Sequence, residues 1–156
     1  MRQSAGIVLH RSVGDAVEVL LGHMGGPFWD RKDAGAWTIP KGEYEPHEDP
    51  FEAACREFRE EVGVAVPAGE FVDLGDLRQS GGKVVRAWAA LLDDTTDFDP
   101  AMAVSNTFEM EWPPKSGRME TFPELDRVAW FGVEAARAKI IVAQREFLDR
   151  LSAGGI

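Results

Sequence analysis

The segment between Asp49 and Gly63 constrains the fold of this chain most, because it carries both start and stop signals for a helix. Asp49 can cap the helix, Pro50 suits the first helical position, and Gly63 ends the pattern after Val62. At about 100° per residue, the apolar residues share one side of this helix. They are Phe51, Ala54, Cys55, Phe58 and Val62. The stripe predicts docking on a sheet, and it makes Cys55 a packed thiol rather than a nucleophile.

Short apolar runs on both sides of this helix predict the strands of that sheet. They are residues 4–10, 17–21, 37–39, 70–77, 84–92 and 127–131. A turn is expected at 12–15, an irregular loop at 23–36, a break at 40–42 and a long connection at 93–123. Helical pieces are expected at 134–139 and 144–151. The chain is therefore expected to form one α/β domain over residues 1–156.

Charge and composition narrow the classes of function. Seventeen basic and 27 acidic residues give a net charge of -10, which disfavours binding to nucleic acid polymers and to anionic membranes. No long apolar run and no signal-peptide pattern is visible. A single cysteine excludes an internal disulfide and a four-cysteine zinc site. This cysteine content fits a reducing compartment, so we expect a cytoplasmic protein. The oligomeric state stays open.

Three carboxylates flank the apolar stripe of the helix. Glu57, Glu60 and Glu61 stand at positions i, i+3 and i+4, so they lie on one side and repel one another by about 0.2 to 0.5 kcal/mol per pair. A hard divalent cation such as magnesium, which prefers oxygen ligands, would offset this repulsion. A solvated acidic face is the other interpretation, and this spacing alone does not decide between them.

The wider register decides in favour of the metal. Five residues separate Gly42 from Glu48, and seven more separate Glu48 from the Arg-Glu-Phe segment at 56–58. One residue then precedes the Glu-Glu pair at 60–61, and one more precedes the Gly-Val pair at 63–64. The fixed positions are Gly42, Glu48, Arg56, Glu57, Glu60, Glu61 and Gly63. This pattern resembles the complete Nudix box over residues 42–64. The order of strands before and after it extends the resemblance over most of the chain.

The resemblance implies a Nudix fold, in which a mixed β-sheet lies between α-helices, and a magnesium-dependent hydrolase in which manganese can substitute. Glu57, Glu60 and Glu61 would be the metal ligands, together with a backbone carbonyl near Lys41 and Gly42. The same resemblance implies supporting roles for Glu48 and Arg56, and helix geometry also allows Arg56 to pair with Glu60 one turn later. His47 stands where many members carry glycine, and we interpret it as an exposed loop residue.

Residues outside the box complete the expected site. Glu124, six residues before Trp130, resembles the loop glutamates that serve some relatives as the general base. Glu120 and Asp126 are alternatives, and a merely solvated Glu124 is equally compatible with the sequence. The predicted phosphate-binding cations are Lys41, Arg78, Lys83 and Arg86. Strand alternation turns at most some of Lys83 and Arg86 inward, and a solvated surface position is the favoured alternative for each taken singly. Trp29, Trp37, Phe108 and Trp112 are candidates to stack on a base; Trp37 fits the core better, and Trp112 is the preferred specificity residue.

Residues 37–42, followed by Glu48 and Asp49, resemble the corresponding segment of diadenosine tetraphosphate and diphosphoinositol polyphosphate hydrolases. The expected activity is hydrolysis of a phosphoanhydride bond in a nucleoside diphosphate linked to another group, with a dinucleoside polyphosphate preferred. Modified nucleoside triphosphates, ADP-ribose and nucleotide sugars stay open, because the loops select the leaving group. A module that senses a nucleotide without hydrolysing it and an acidic interaction domain are the alternatives from other classes.

Overall fold

A mixed sheet forms the centre of the computed structural model, which describes residues 2–93 and 95–154. Its strands are β1 (Gln3–Val13), β2 (Ala16–Met24), β3 (Trp37–Thr38), β4 (Lys41–Glu43), β5 (Ala68–Arg78), β6 (Val84–Leu92) and β9 (Leu125–Gly132). A separate hairpin contains β7 (Thr107–Glu111) and β8 (Met119–Pro123). The helices are α1 (Pro50–Val62), α2 (Val133–Lys139) and α3 (Arg145–Ala153).

The strand order of the sheet is β3-β2-β1-β6-β5, with β4 paired to β1 and β9 paired to β2. Only the pair β1–β6 is parallel among the strand pairs of the described residues. Because β1 has β2, β4 and β6 as neighbours, it brings the loop after β3 and the turn between β5 and β6 to the same end of the sheet.

Helices cover both faces of this sheet. On one face, α1 packs Ala53, Ala54, Phe58 and Val62 against β1 and β6 residues such as Ile7 and Trp88. On the other face, α2 and α3 contribute Ala136, Phe147, Leu148 and Leu151. The alternation of side chains along each strand supplies apolar residues to both clusters. The predicted mixed sheet between helices is thus confirmed.

The local predictions differ from the structure in three places. The first turn is shorter than expected, with Gly14 in the left-handed region at φ 62°. Residues 41–43, expected to break regular structure, form β4, because they pair with β1. Within the expected long connection, residues 107–123 form the β7–β8 hairpin, while Asp94 lies outside the described residues. β7 alternates as Thr-Phe-Glu-Met-Glu, but each strand has only five residues, and a Pro- and Gly-rich turn separates them.

No helix in residues 2–93 and 95–154 combines the length and the apolar character needed to cross a bilayer. The longest of them, α1, has 13 residues, whereas about 20 are needed to span the hydrocarbon layer.

Candidate active site

Helix α1 forms where its capping signals predict it. The Asp49 side chain accepts a hydrogen bond from the backbone N–H of Glu52 at 3.0 Å, and Gly63 closes the helix at φ 92°. The backbone N–H of Gly63 donates to the carbonyl of Arg59 at 2.8 Å. With the apolar stripe against the sheet, the acidic side of α1 turns toward the loop that follows β3.

Two of the three box carboxylates lie directly against that loop. Glu61 is only 8% exposed and accepts a hydrogen bond from the backbone N–H of Lys41 at 3.1 Å. The carboxylate of Glu57 fills the space beside Gly42, where an added Cβ would lie 2.0 Å from its Oε2. Gly42 therefore allows a close approach of this side chain to the backbone, and a larger residue would displace the carboxylate. Glu60, next to them on α1, is more exposed.

Arg56 connects this cluster to the loop before α1. Its guanidinium donates to Glu48 and, at 3.1 Å, to Oε1 of Glu57. The predicted ion pair between Arg56 and Glu60 is present at 3.8 Å. It is longer than the contacts of Arg56 with Glu48 and Glu57. Glu48 also accepts from the backbone N–H of Glu45 at 3.0 Å. Arg56 thus fixes the orientation of the Glu57 carboxylate.

The α1 carboxylates line a cleft of about 520 Å³. Its acidic residues are Glu43, Glu57, Glu60, Glu61 and Glu124, and its basic residues are Arg2, Lys41 and Lys83. Gln79, Ser4, Asn106 and Thr38 add neutral polar groups. The cleft therefore presents carboxylates and cations together, as the binding of a phosphate with a metal ion requires.

Burial makes the negative charges of this wall costly. It raises the pKa of the Glu61 carboxyl to about 8, and it also raises the pKa of Glu57 and of Glu124. Burial lowers the pKa of Lys41, which the nearby Glu61 carboxylate partly opposes. Desolvated acidic groups in one cleft would gain from a cation that neutralises them.

The donor chemistry of this wall fits a hard divalent cation. Carboxylate oxygens from Glu57, Glu60, Glu61 and Glu124 face one cleft, beside the backbone of Gly42. Within the described part of the chain, no three acidic, histidine or cysteine side chains already converge as one ligand group. Magnesium keeps several waters and shares its coordination with substrate phosphates. A site with few preformed protein ligands is compatible with that behaviour.

Glu124 reaches the cleft from the connection between β8 and β9. Its backbone N–H donates to the carbonyl of Asn106, and its carbonyl accepts from the N–H of Gly25, both at 2.9 Å. Of the alternatives predicted for this role, Glu120 is exposed on β8, and Asp126 binds the ring of His23. The structure therefore brings Glu124, and neither alternative, into the same cleft as the box carboxylates.

The predicted substrate contacts divide into two groups. Lys41 and Lys83 line the cleft, whereas Arg78, Arg86 and Trp112 lie outside its lining. Alternation along β6 explains Arg86: Val85 faces the cleft, and Arg86 pairs instead with Asp73 at 2.6 Å and lies over the Trp88 ring. On β5, Arg78 opposes Val84 and so shares that other side of the sheet. Trp112 lies in the turn of the β7–β8 hairpin.

The remaining aromatic candidates pack within the protein. Trp37 is 4% exposed and contacts Phe131 edge to face at 4.8 Å, as its core assignment predicted. Phe108 packs near Phe122 and Gly26. Trp29 is partly buried at the edge of the core. None of these rings, all of which the structure describes, lines the cleft.

Two other predicted placements can be compared with the structure. Cys55 is half-buried in the cluster beneath α1, and burial raises the pKa of its thiol, so it lacks the features of an activated nucleophile. His47 is exposed in the loop before α1. Sequence reasoning missed Arg2, Ser4 and Gln79 in the cleft, because strand pairing rather than local composition brings them there.

Comparisons with known proteins agree with this architecture. The NUDIX domain family model matches residues 1–151. An Ap4A hydrolase from C. elegans has a similar fold, with a TM-score of 0.64 and 23% identity over 98% of this chain and 99% of that one. The NUDIX domain of Shewanella oneidensis NrtR, complexed with ADP ribose, has a TM-score of 0.65 and 15% identity over 99% and 88% of the two chains.

A NUDIX hydrolase from Nitrosomonas europaea is also similar, with a TM-score of 0.60 and 21% identity over 98% of this chain and 89% of that one. No curated protein sequence matches the chain. At these identities the solved structures establish the fold, and the family model establishes membership. With Gly42, Glu57, Glu60 and Glu61 lining one cleft, the chain belongs to the NUDIX domain family.

Proposed function

We propose that this protein hydrolyses a phosphoanhydride bond in a nucleoside diphosphate linked to another group, with magnesium bound at Glu57, Glu60, Glu61 and the backbone of Gly42. The observation that carries the proposal is the meeting of the box carboxylates, Glu124 and Lys41 in a single cleft. When bound, the metal would neutralise phosphate charge and lower the pKa of a coordinated water. Manganese can substitute.

The chain's own residues supply the remaining functions. Arg56 and Glu48 hold the Glu57 carboxylate in place, and Lys41 and Lys83 offset phosphate charge. Glu124 accepts the proton of the attacking water, a role that its place in the cleft and its pKa, raised by burial, both support. The anhydride bond breaks as water attacks phosphorus, and the leaving phosphate carries away the electron pair.

A dinucleoside polyphosphate is the proposed substrate class. Residues 37–42 with Glu48 and Asp49 resemble the diadenosine tetraphosphate hydrolases, and the cleft contains three cationic side chains that could accompany a chain of several phosphates. A modified nucleoside triphosphate, ADP-ribose and a nucleotide sugar are the competing substrates. Location in a reducing compartment stays a prediction from the single cysteine.

A substrate panel with magnesium tests this proposal. Purified protein is incubated with dinucleoside polyphosphates, ADP-ribose, NADH and modified triphosphates, and the products are separated by chromatography. We expect a nucleoside mono- or diphosphate product that requires magnesium, with the highest kcat/KM for a dinucleoside polyphosphate. Nucleotide binding without product would instead indicate a sensor, and neither binding nor product would indicate an interaction domain.

A further inference from the structure

A polar row crosses the end of the sheet on the side that lines the cleft. Gln79 opposes Lys83, since its backbone N–H donates to the Lys83 carbonyl at 2.7 Å, and Arg2 lies beside them because its carbonyl accepts from Val84 at 3.0 Å. All three line the cleft. Farther along the strands, Ser4 of β1 is paired with Val85 of β6, and both residues also line the cleft. Strand alternation therefore places the row on the cleft side.

The side-chain amide of Gln79 is an unsatisfied donor. Its Nε2 is buried and has no hydrogen-bond partner in the described part of the chain. A buried polar group without a partner costs about 1–3 kcal/mol, so such a group in the wall of a binding cleft indicates that a ligand supplies the missing acceptor. Lys83 and Arg2 beside it favour an anionic acceptor. Among residues 2–93 and 95–154, Arg2 has a carboxylate partner, Glu43 at 3.7 Å, and Lys83 has none.

This row is well separated from the box carboxylates. Lys41 pairs with Gly6 on β1, and Gly42, which touches Glu57, pairs with Ala5. Arg2 lies three residues from Ala5, which is about 10 Å along the strand at about 3.3 Å per residue. A phosphate held by the Arg2 row is therefore not the one beside Glu57 but another farther along the substrate.

We propose that Gln79, with Lys83 and Arg2, binds a phosphate of the substrate that is distant from the bond being cleaved. The inference rests on the proposed function and narrows it to substrates whose phosphate chain extends beyond the reacting anhydride. Gln79 donates its amide N–H to an oxygen of that phosphate, while the two cations offset its charge. The residue distinguishes long phosphate chains from short ones.

Binding of inorganic polyphosphates tests the assignment without requiring turnover. Titration calorimetry with magnesium compares tetrapolyphosphate and pyrophosphate on the wild type and on Gln79→Met, which keeps the volume and removes the donor. We expect tetrapolyphosphate to bind about tenfold more weakly to the variant, since hydrogen bonds to charged groups contribute about 1.5–3 kcal/mol, and pyrophosphate to bind within about twofold. Gln3→Met is the matched control, because Gln3 opposes Val84 and lies outside the cleft lining.

Two further measurements separate ligand binding from folding. In the ligand-free protein, Gln79→Met should not lower the melting temperature, because Nε2 of Gln79 donates no hydrogen bond within the described residues that the substitution could remove. Gln79→Glu, which replaces the donor by a carboxylate, should weaken the binding of tetrapolyphosphate more than Gln79→Met does. The proposal is overturned if tetrapolyphosphate binds both variants as tightly as the wild type. It is also overturned if the affinities for tetrapolyphosphate and pyrophosphate fall by the same factor.

The inference and the proposed function can fail separately. If the nucleotide panel yields no product while tetrapolyphosphate binding still depends on Gln79, the hydrolytic function is wrong and the phosphate contact stands. If a dinucleoside polyphosphate is hydrolysed with the same KM by the wild type and Gln79→Met, and tetrapolyphosphate binds both equally, only the Gln79 contact is wrong.

Discussion

His23 and Asp126 are joined across 103 residues of sequence, with the histidine Nδ1 2.9 Å and 3.0 Å from the two carboxylate oxygens. The other ring nitrogen lies 2.6 Å from the carbonyl oxygen of Lys32. His23 is fully buried on β2, Asp126 lies two residues after Glu124, and Lys32 belongs to the loop between β2 and β3. One side chain thus ties the segment that carries Glu124 to that loop.

Replacing His23 by alanine should destabilise the protein. The substitution leaves the Asp126 carboxylate and the Lys32 carbonyl without this partner and opens a cavity, so we expect a loss of about 2–4 kcal/mol in the free energy of unfolding. Urea denaturation measures it, and His47→Ala in the exposed loop is the control, with a change below about 0.5 kcal/mol. A loss as small as that of the control would show that the His23 contacts contribute little.

Gly42→Ala should lower activity while the protein stays folded. The new Cβ would lie 2.0 Å from Glu57 Oε2, and this carboxylate is the end of a flexible side chain that can move away. We expect kcat to fall at least about tenfold, because the Glu57 ligand is displaced, while the melting temperature changes little. Gly69→Ala is the matched control, since nothing lies within 4 Å of its added Cβ. Equal activity of the two variants would contradict the contact.

Removal of box carboxylates tests the metal assignment. Glu60→Gln and Glu61→Gln should each lower kcat at least about a hundredfold, because loss of a metal ligand removes several kcal/mol of transition-state stabilisation. Circular dichroism should show an intact fold. Glu52→Gln, in the exposed first turn of the same helix, should behave as the wild type. Near-normal turnover in either box variant would refute the assignment.

The role of Glu124 is testable by substitution and pH together. Glu124→Gln should lower kcat by about a hundredfold with little effect on KM, because the side chain accepts a proton rather than binding phosphate. The acidic limb of the pH–rate profile should change in this variant. Glu109→Gln, exposed on β7, is the control. If the pH–rate profile and kcat of Glu124→Gln matched those of the wild type, another carboxylate would be the general base.

Burial of the His10 side chain should make the stability of the protein depend on pH. Burial lowers its pKa below the ordinary value of 6.5, so the unfolded chain takes up this proton more readily than the folded protein. The contribution of neutral His10 to the free energy of unfolding is therefore fully present above about pH 6.5 and is lost as the pH falls below that value. Melting temperatures at pH 7.5 and 5.5 should differ less in His10→Asn than in the wild type. A difference as large as that of the wild type would contradict the burial effect.

Local signals in the sequence predicted much of the fold. Helix α1 appears from Pro50 to Val62, where its caps and apolar stripe place it, and the strands of the central sheet other than β4 lie at the predicted apolar runs. The β7–β8 hairpin was missed because its strands have only five residues each and are largely exposed, although Thr107–Glu111 alternates between polar and apolar residues. Short β4 was missed because it depends on pairing with β1 rather than on its own composition.

By itself, the sequence indicated the family of the protein, because residues 42–64 resemble the complete Nudix box, whereas helix geometry alone showed only that Glu57, Glu60 and Glu61 share one side of α1. Only the tertiary structure decided which cations share their cleft: Lys83 faces it and Arg86 does not, although three residues separate them. The physical reason is strand pairing. The pairing of β4 and β6 with β1, and of β5 with β6, brings Lys41 to the same side of the sheet as Gln79 and Lys83, which are distant from it in sequence.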